Sequence, residues 1–213
     1  MPTKPQVEIT GLEARFYDLL LNLISFRRYE VFIRRVIADL NLNENEIVMD
    51  LGAGTGKNDK LMFDYLGPES RIYALEIGEE MRQQLAELQK NEPRLVIINQ
   101  RIEKAFRLPE QASLAFISFV IHGLRQEDRL MVVQNVADNL RPGGRFCILD
   151  YNHFSVDNAA WYIRFGIRRM ECKPTEDFID RDWPALLEEK GFSDFSTKTY
   201  FGGIVRLLCS VKK

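Results

Sequence analysis

The strongest constraint on the fold is a regular alternation, between residues 47 and 149, of short apolar runs with longer amphipathic stretches. The apolar runs are rich in β-branched residues and cover residues 47–51, 71–75, 95–98, 114–119 and 145–149. The stretches between them, with apolar residues at helical spacing, cover residues 57–66, 79–90 and 127–140. Near-continuous apolar strands are typical of a parallel sheet that helices cover on both faces. The pattern therefore predicts a βαβ succession.

The C-terminal part has a different rhythm. A helix is predicted over residues 182–189, and two strands over 194–201 and 204–211 are joined by Gly202 and Gly203. So short a connection requires an antiparallel hairpin. Before the first strand, apolar residues at helical spacing from Leu12 to Leu40 predict two helices.

Together these segments predict an α/β fold. It is a three-layer, Rossmann-like sheet of seven strands, mostly parallel with an antiparallel C-terminal strand, preceded by N-terminal helices. At 213 residues the length suits one domain, covering 1–213. That domain includes a helical extension over 1–45 and an insertion over 152–180.

Composition excludes several classes of protein. Lys and Arg total 29 against 31 Asp and Glu, so the net charge of −2 lacks the positive excess of a nucleic-acid binder. The three cysteines, Cys147, Cys172 and Cys209, have no C-x-x-C spacing, which argues against a disulfide framework and a zinc cluster. We therefore expect no metal site and a cytoplasmic location. No apolar run is long enough to span a bilayer.

A glycine-rich turn follows the first predicted strand, which ends in Asp50 and Leu51. Glycines at this place let backbone N–H groups approach a ligand closely. A phosphate-binding P-loop is excluded, since Leu51 and Asn58 stand where its first glycine and its hydroxyl are required. The next strand is followed by Glu76, whose carboxylate can accept both hydroxyls of a ribose. The two features together predict a site for an adenosine-containing cofactor, either a dinucleotide or another.

In its ordered motifs the chain resembles the class I S-adenosylmethionine-dependent methyltransferases. The resemblance rests on D-L-G-A-G-T-G at 50–56, A-L-E-I at 74–77, F-V-I-H at 119–122, L-R-P-G-G-R at 140–145 and the terminal hairpin. A narrower similarity to the ubiquinone/menaquinone C-methyltransferase branch rests on A-R-F-Y-D-L-L-L at 14–21, E-K-G-F at 189–192 and F-G-G-I-V-R-L at 201–207. It implies methyl transfer from S-adenosylmethionine to a small or lipophilic acceptor, such as a quinol or a lipid. His122 and Gly123, however, stand where the quinone branch usually has an Arg-Asn pair.

The resemblance also implies which residues hold the cofactor. The glycines of the turn would run along its methionine part, Glu76 would hold the ribose, and Tyr17 would close over it. Arg101 stands where the family often has an aspartate for the adenine amino group, so it is expected to stack on the ring or to face solvent. Ile77 and Met81, which would flank the adenine, would equally suit helix packing, and Tyr17 would suit a core. The implied set is Tyr17, Asp50, Gly52, Ala53, Gly54, Gly56, Glu76, Ile77, Met81, Arg101, Ile102 and Phe119.

Candidate catalytic residues follow the fourth and fifth strands. His122 is the first candidate for a general base, because histidine has an ordinary pKa of about 6.5; the alternative is a residue that only shapes the pocket. Tyr151 and His153 are candidates for orienting a substrate hydroxyl. Asp150 and Asn152, in the same cluster, would equally cap the following loop.

The insertion carries aromatic and basic side chains between residues 158 and 170. Such a segment suits a lid over a lipophilic or anionic substrate, with peripheral contact to a membrane surface, or a plain packing helix. Two other functions stay open. An NAD-dependent dehydrogenase would need G-x-G-x-x-G, whereas the third glycine comes one residue early here. A catalytically silent cofactor-binding module would retain every binding motif.

Overall fold

A computed structural model of the chain describes residues 28–153 and 173–213. The strands are β1 Ile47–Leu51, β2 Arg71–Leu75, β3 Leu95–Ile98, β4 Ala112–Ser118, β5 Leu140–Tyr151, β6 Phe192–Tyr200 and β7 Val205–Lys212. The α-helices are α1 Arg28–Asp39, α2 Lys57–Met62, α3 Glu79–Asn91, α4 Gln126–Asn139, α5 Lys173–Ile179 and α6 Trp183–Glu188. Short 3-10 turns cover Ile121–Gly123 and Phe201–Gly203. The first predicted helix, with Tyr17, and residues 154–172 of the insertion lie outside the described residues.

All seven strands form one sheet in the order β3-β2-β1-β4-β5-β7-β6. Strands β1 to β5 pair in parallel, while β7 is antiparallel to both β5 and β6. The predicted fold class is therefore confirmed. The strand order reverses between β1 and β4, which is where open α/β sheets bind ligands beyond the carboxyl ends of their strands.

Two apolar layers cover the sheet. Alternate residues of each strand point to opposite faces, so Phe146 and Ile148 of β5 face the layer that includes α5 and α6, whereas Cys147 and Leu149 face the layer that includes α1. Both faces are buried along β1 and β4, which explains why these strands are apolar at nearly every position, whereas β6 is largely exposed and polar. None of the helices in the described ranges has the length and apolar character to cross a bilayer.

The structure corrects the expectation about cysteines. Cys147 and Cys209 lie directly opposite each other on β5 and β7, with Cα atoms 4.1 Å apart, and are joined as a disulfide. The sequence argument failed because these residues are 62 positions apart and become neighbours only through the register of the antiparallel pair. Spacing along the chain carries no signal for such a contact.

Candidate functional site

The glycine-rich turn leaves β1 in a backbone conformation that requires glycine. Gly52, Gly54 and Gly56 have φ values of 79°, 57° and 76°, in the left-handed region that other residues rarely adopt. A Cβ atom at Gly52 would lie 2.8 Å from a methyl group of Val120, whereas one at Gly54 would meet nothing within 4 Å. Space for a ligand therefore lies beside Gly54.

Glu76 is oriented by backbone donors at the mouth of this turn. Its Oε2 accepts a hydrogen bond from the N–H of Gly54 at 2.9 Å, and its Oε1 accepts one from the N–H of Gly78 at 2.7 Å. Each carboxylate oxygen can accept further bonds. The side chain is thus fixed before any ligand arrives, with acceptor capacity left for two ribose hydroxyls.

A cavity of about 490 Å³ opens between the glycine turn and the first turn of α4. The structure brings seven of the predicted cofactor residues to its wall: Gly52, Gly54, Glu76, Ile77, Met81, Arg101 and Ile102. Asp50 and Ala53 are buried beneath the turn, and neither they nor Gly56 and Phe119 line this cavity. A cavity of this volume can hold an adenosine with an amino acid chain, and the sequence-based prediction would place its ribose at Glu76.

Two charged residues that were not predicted from the sequence, Glu103 and Asp128, line the cavity near Arg101. Arg101 is not simply exposed: its Nη1 lies 3.3 Å from Oε1 of Glu103, and both side chains line the cavity. Asp128, from the first turn of α4, lines it as well. Carboxylates therefore reach this wall despite the missing aspartate after β3. Local sequence could not indicate this position of Asp128, because only the fold brings the start of α4 to the cavity.

Two buried carboxyls lie beneath the glycine turn. Asp50 ends β1 and Asp59 lies in the first turn of α2, and neither Asp50 Oδ2 nor the two oxygens of Asp59 accept a hydrogen bond from any donor group in the described residues. Burial raises the pKa of both, that of Asp59 to about 6, and the nearby charge of Asp59 raises the pKa of Asp50 further. Repulsion in a buried pair favours one proton shared between the two.

We expect Asp59→Asn to stabilise the protein at about pH 8 by roughly 2 kcal/mol, which corresponds to a rise in Tm of about 5 °C. A raised carboxyl pKa means that stability is fully present below about pH 4 and is lost as the pH rises through about 6. The amide of the Asp59→Asn variant stays neutral at every pH, so the stability difference between the variant and the wild type should grow as the pH rises from about 4 to about 6. Thermal unfolding against pH measures this, with Asp64→Asn as the control at an exposed carboxylate. A variant less stable than the wild type at both ends of the range would contradict the prediction.

His122 and Asp150 form a buried pair where β4 and β5 end. The Nδ1 atom of His122 lies 2.9 Å from Oδ1 and 3.1 Å from Oδ2 of Asp150, and Oδ1 also accepts from the N–H of Tyr151 at 2.8 Å. A carboxylate next to Nδ1 favours the imidazole tautomer that is protonated on Nδ1. In that tautomer Nε2 carries the lone pair. Asp150, which the sequence analysis also considered as a loop cap, therefore orients the histidine.

Arg129 of α4 holds the turn that carries His122. Its fully buried guanidinium donates to the carbonyl oxygens of Ile121 at 3.1 Å and His122 at 2.9 Å, and it contacts Asp177 of α5 at 2.6 Å. The turn is thereby tied to α5, the helix at the end of the insertion. These contacts join residues of three elements that are distant in the chain, so neither spacing nor periodicity indicates them.

Replacing Arg129 with methionine should lower the free energy of unfolding by about 3 kcal/mol, because two carbonyl oxygens lose their donors and the ion pair with the half-exposed Asp177 is broken. Denaturant titration provides the measurement. Arg125→Met removes an exposed arginine near the same helix end and should change stability by less than about 1 kcal/mol. Equal losses in the two variants would show that Arg129 does not hold the turn.

Aromatic rings lie around the His122–Asp150 pair. Tyr151 and Phe178 have ring centroids 5.1 Å and 6.4 Å from that of His122, and Phe119 lies 6.4 Å from Tyr151. Phe119 adopts a φ of 53°, a strained conformation of the kind that clusters at functional sites. His153 lies at the same edge, but its Nδ1 is 2.9 Å from the carbonyl oxygen of Ile179.

Comparison with known proteins gives consistent results. Residues 48–144, which contain the glycine turn, Glu76 and His122, match the family model of a methyltransferase domain. The demethylmenaquinone methyltransferase of Staphylococcus carnosus (strain TM300) is 23% identical over 216 residues, covering 92% of this chain and 88% of that protein. The same enzyme of Staphylococcus aureus (strain Newman) is 22% identical over 217 residues, with the same coverage.

Solved structures share the fold. Human N-acetylserotonin methyltransferase in complex with S-adenosylmethionine superposes with a TM-score of 0.68 at 20% identity, covering 97% of this chain and 60% of that one. A mitomycin 7-O-methyltransferase gives a TM-score of 0.68 at 18% identity, covering 92% and 60%. Neither a dehydrogenase nor a silent binding module is supported by these matches. The glycine turn, the placement of Glu76 and the order of the sheet agree with these matches: residues 48–144 form a methyltransferase domain, and the protein is an S-adenosylmethionine-dependent methyltransferase.

Proposed function

We propose that this methyltransferase methylates a hydroxylated aromatic small molecule and that His122 removes the hydroxyl proton. The observation that carries the proposal is the contact of His122 Nδ1 with the buried Asp150 carboxylate at 2.9 Å. A base is needed only when the nucleophile carries a proton, as a phenol or quinol does. A histidine with its tautomer fixed by a carboxylate suits that task.

The cofactor supplies a methyl group bonded to a positively charged sulfur. The protein aligns the acceptor with that methyl group, and alignment contributes about 7–11 kcal/mol to lowering the barrier. Glu76 and the glycine turn would hold the cofactor, which would supply its methyl group to the acceptor and leave as S-adenosylhomocysteine, and Nε2 of His122 would take the acceptor proton. Asp150 stabilises the imidazolium that forms. General base catalysis of this kind contributes about 10²- to 10⁴-fold.

The aromatic class of acceptor is supported by the rings near His122. Phe119, Tyr151 and Phe178 present apolar faces and edges at distances typical of aromatic packing. The relatives described above act, by their names, on demethylmenaquinone, N-acetylserotonin and mitomycin, which supports a small-molecule acceptor. Methylation at oxygen needs only this proton removal, whereas methylation at a ring carbon beside the hydroxyl would also require that carbon to lose its own proton.

Several predictions from the sequence belong to this proposal. They are the single domain over 1–213, the lid formed by residues 152–180, closure by Tyr17, orientation of the acceptor by Tyr151 and His153, peripheral membrane contact and a cytoplasmic location. Tyr17 and most of the lid lie outside the described residues. Of these predictions, the cytoplasmic location is opposed by the Cys147–Cys209 disulfide, because disulfides persist mainly in oxidising compartments.

The proposal is tested by binding followed by turnover. Calorimetric titration should show binding of S-adenosylmethionine and S-adenosylhomocysteine but not of NAD. An acceptor screen of quinols, other phenols and phospholipids should then give methylated products only from the hydroxylated aromatic compounds, with the methylated atom identified by NMR. Turnover confined to phospholipids would overturn the aromatic assignment.

A further inference from the structure

Arg206 of β7 is a buried arginine that forms no hydrogen bond with the part of the chain that the structure describes. It is only 9% exposed, and within residues 28–153 and 173–213 its guanidinium makes no hydrogen bond or ion pair. Arg129, which is also buried, satisfies its donors with two carbonyls and a carboxylate. Among the described residues, no guanidinium nitrogen of Arg206 is fully buried without a bond, so these donors reach the protein surface and are open to a ligand.

The register of the sheet places Arg206 beside the proposed catalytic pair. Arg206 lies directly opposite Asp150 in the antiparallel β5–β7 pair, and residues opposite each other point to the same face. The Asp150 carboxylate is engaged by His122 and Tyr151. Asp182, the other nearby carboxylate, accepts from the N–H of Ala185 at the start of α6. Neither carboxylate forms a direct contact with Arg206, so its donors are available for a ligand.

The chemistry of a guanidinium defines what that ligand is. Arginine stays protonated in proteins and offers a planar fork of N–H donors that matches a carboxylate with two parallel hydrogen bonds. Its N–H donors bind an ionised acceptor more strongly than a neutral one, because such hydrogen bonds are charge-assisted. The acceptor group that fits beside Arg206 is therefore an anion.

We propose that Arg206 is the anion-binding residue of the acceptor site and that the acceptor is a hydroxylated aromatic acid. Its hydroxyl group lies at His122 and its carboxylate at Arg206, on opposite sides of Asp150. This inference rests on the proposed function, since it deepens the definition of the same acceptor.

The test compares charged and neutral ligands that have the same shape. Binding of ortho-, meta- and para-hydroxybenzoate and of the matching hydroxybenzamides is measured by calorimetry with S-adenosylhomocysteine present. We expect at least one hydroxybenzoate to bind the wild type about tenfold or more tightly than its amide, as charge-assisted hydrogen bonds allow. Arg206→Gln should abolish this preference. Lys198→Gln removes the same charge from the same hairpin, at an exposed side chain opposite Leu207, and should retain the preference.

Each other outcome overturns the proposal. Equal affinity for acids and amides, or no binding of any acid, would show that Arg206 does not recognise the acceptor. Binding of phenyl phosphate but of no hydroxybenzoate would assign the residue to a phosphate ester. Arg206→Gln should also unfold at or above the wild-type temperature, and a much lower Tm would make Arg206 a structural counter-charge for Asp150 and Asp182. Because the readout is binding, an error in the role of His122 would show in turnover and leave this preference unchanged.

Discussion

Glu76→Ala is expected to weaken binding of S-adenosylhomocysteine by about 100-fold or more. The variant loses the acceptor of two ribose hydroxyls, and a charge-assisted hydrogen bond is worth about 1.5–3 kcal/mol. It also releases the N–H groups of Gly54 and Gly78, which hold the glycine turn against the cavity. Calorimetric titration of the folded variant measures the effect.

Two further variants sharpen this experiment. Glu76→Gln keeps the shape of the side chain and one good acceptor, so its loss of affinity should be intermediate. Glu80→Ala removes an exposed carboxylate from the first turn of α3 and should bind as the wild type does. If Glu76→Ala retained full affinity while folded, the ribose would have to be held elsewhere.

His122→Ala is expected to lower the rate of methyl transfer by about 10²- to 10⁴-fold, with little change in affinity for the cofactor. The affinity should persist because His122 does not line the cofactor cavity. Single-turnover measurements at saturating cofactor separate the two quantities. A fall in rate that disappears at saturating cofactor would reject the role of His122 as a base.

Asp150→Asn should reproduce much of this loss. Its amide can donate to Nδ1, which favours the wrong tautomer and places the imidazole proton on Nε2, where the lone pair is required. His153→Ala provides a comparison with the other predicted histidine. Because Nδ1 of His153 is bonded to the carbonyl of Ile179, we expect a smaller decrease in rate. A larger decrease for His153→Ala would reverse the assignment of the base.

Local sequence was sufficient for the features that depend on neighbouring residues. The predicted strand at 47–51 and the glycine turn after it match the structure, because apolar runs and glycines act over a few residues. The predicted helix over 57–66 instead ends at Met62. Elements were thus predicted well, and their boundaries less so.

Contacts set by the register of the sheet were not predictable. The sequence contains Asp150, Cys209 and Arg206, but only the alignment of β5 with its neighbours shows what each one faces. Asp150 meets a histidine from the turn after β4, and Asp128 reaches the cavity wall from a helix. These partners are distant in the chain, so neither spacing nor periodicity relates them.

The position of β7 also determines the order in which the sheet can assemble. β7 follows every other strand of the described sheet in sequence, yet it lies between β5 and β6. The strands that carry the glycine turn and Glu76 can pair as soon as they have been synthesised. β6, by contrast, has no partner until β7 has docked on β5, so the side of the sheet near Asp150 closes last. Long-range pairing of this kind is slow, and a ribosome-bound chain would therefore acquire its cofactor half before its acceptor half.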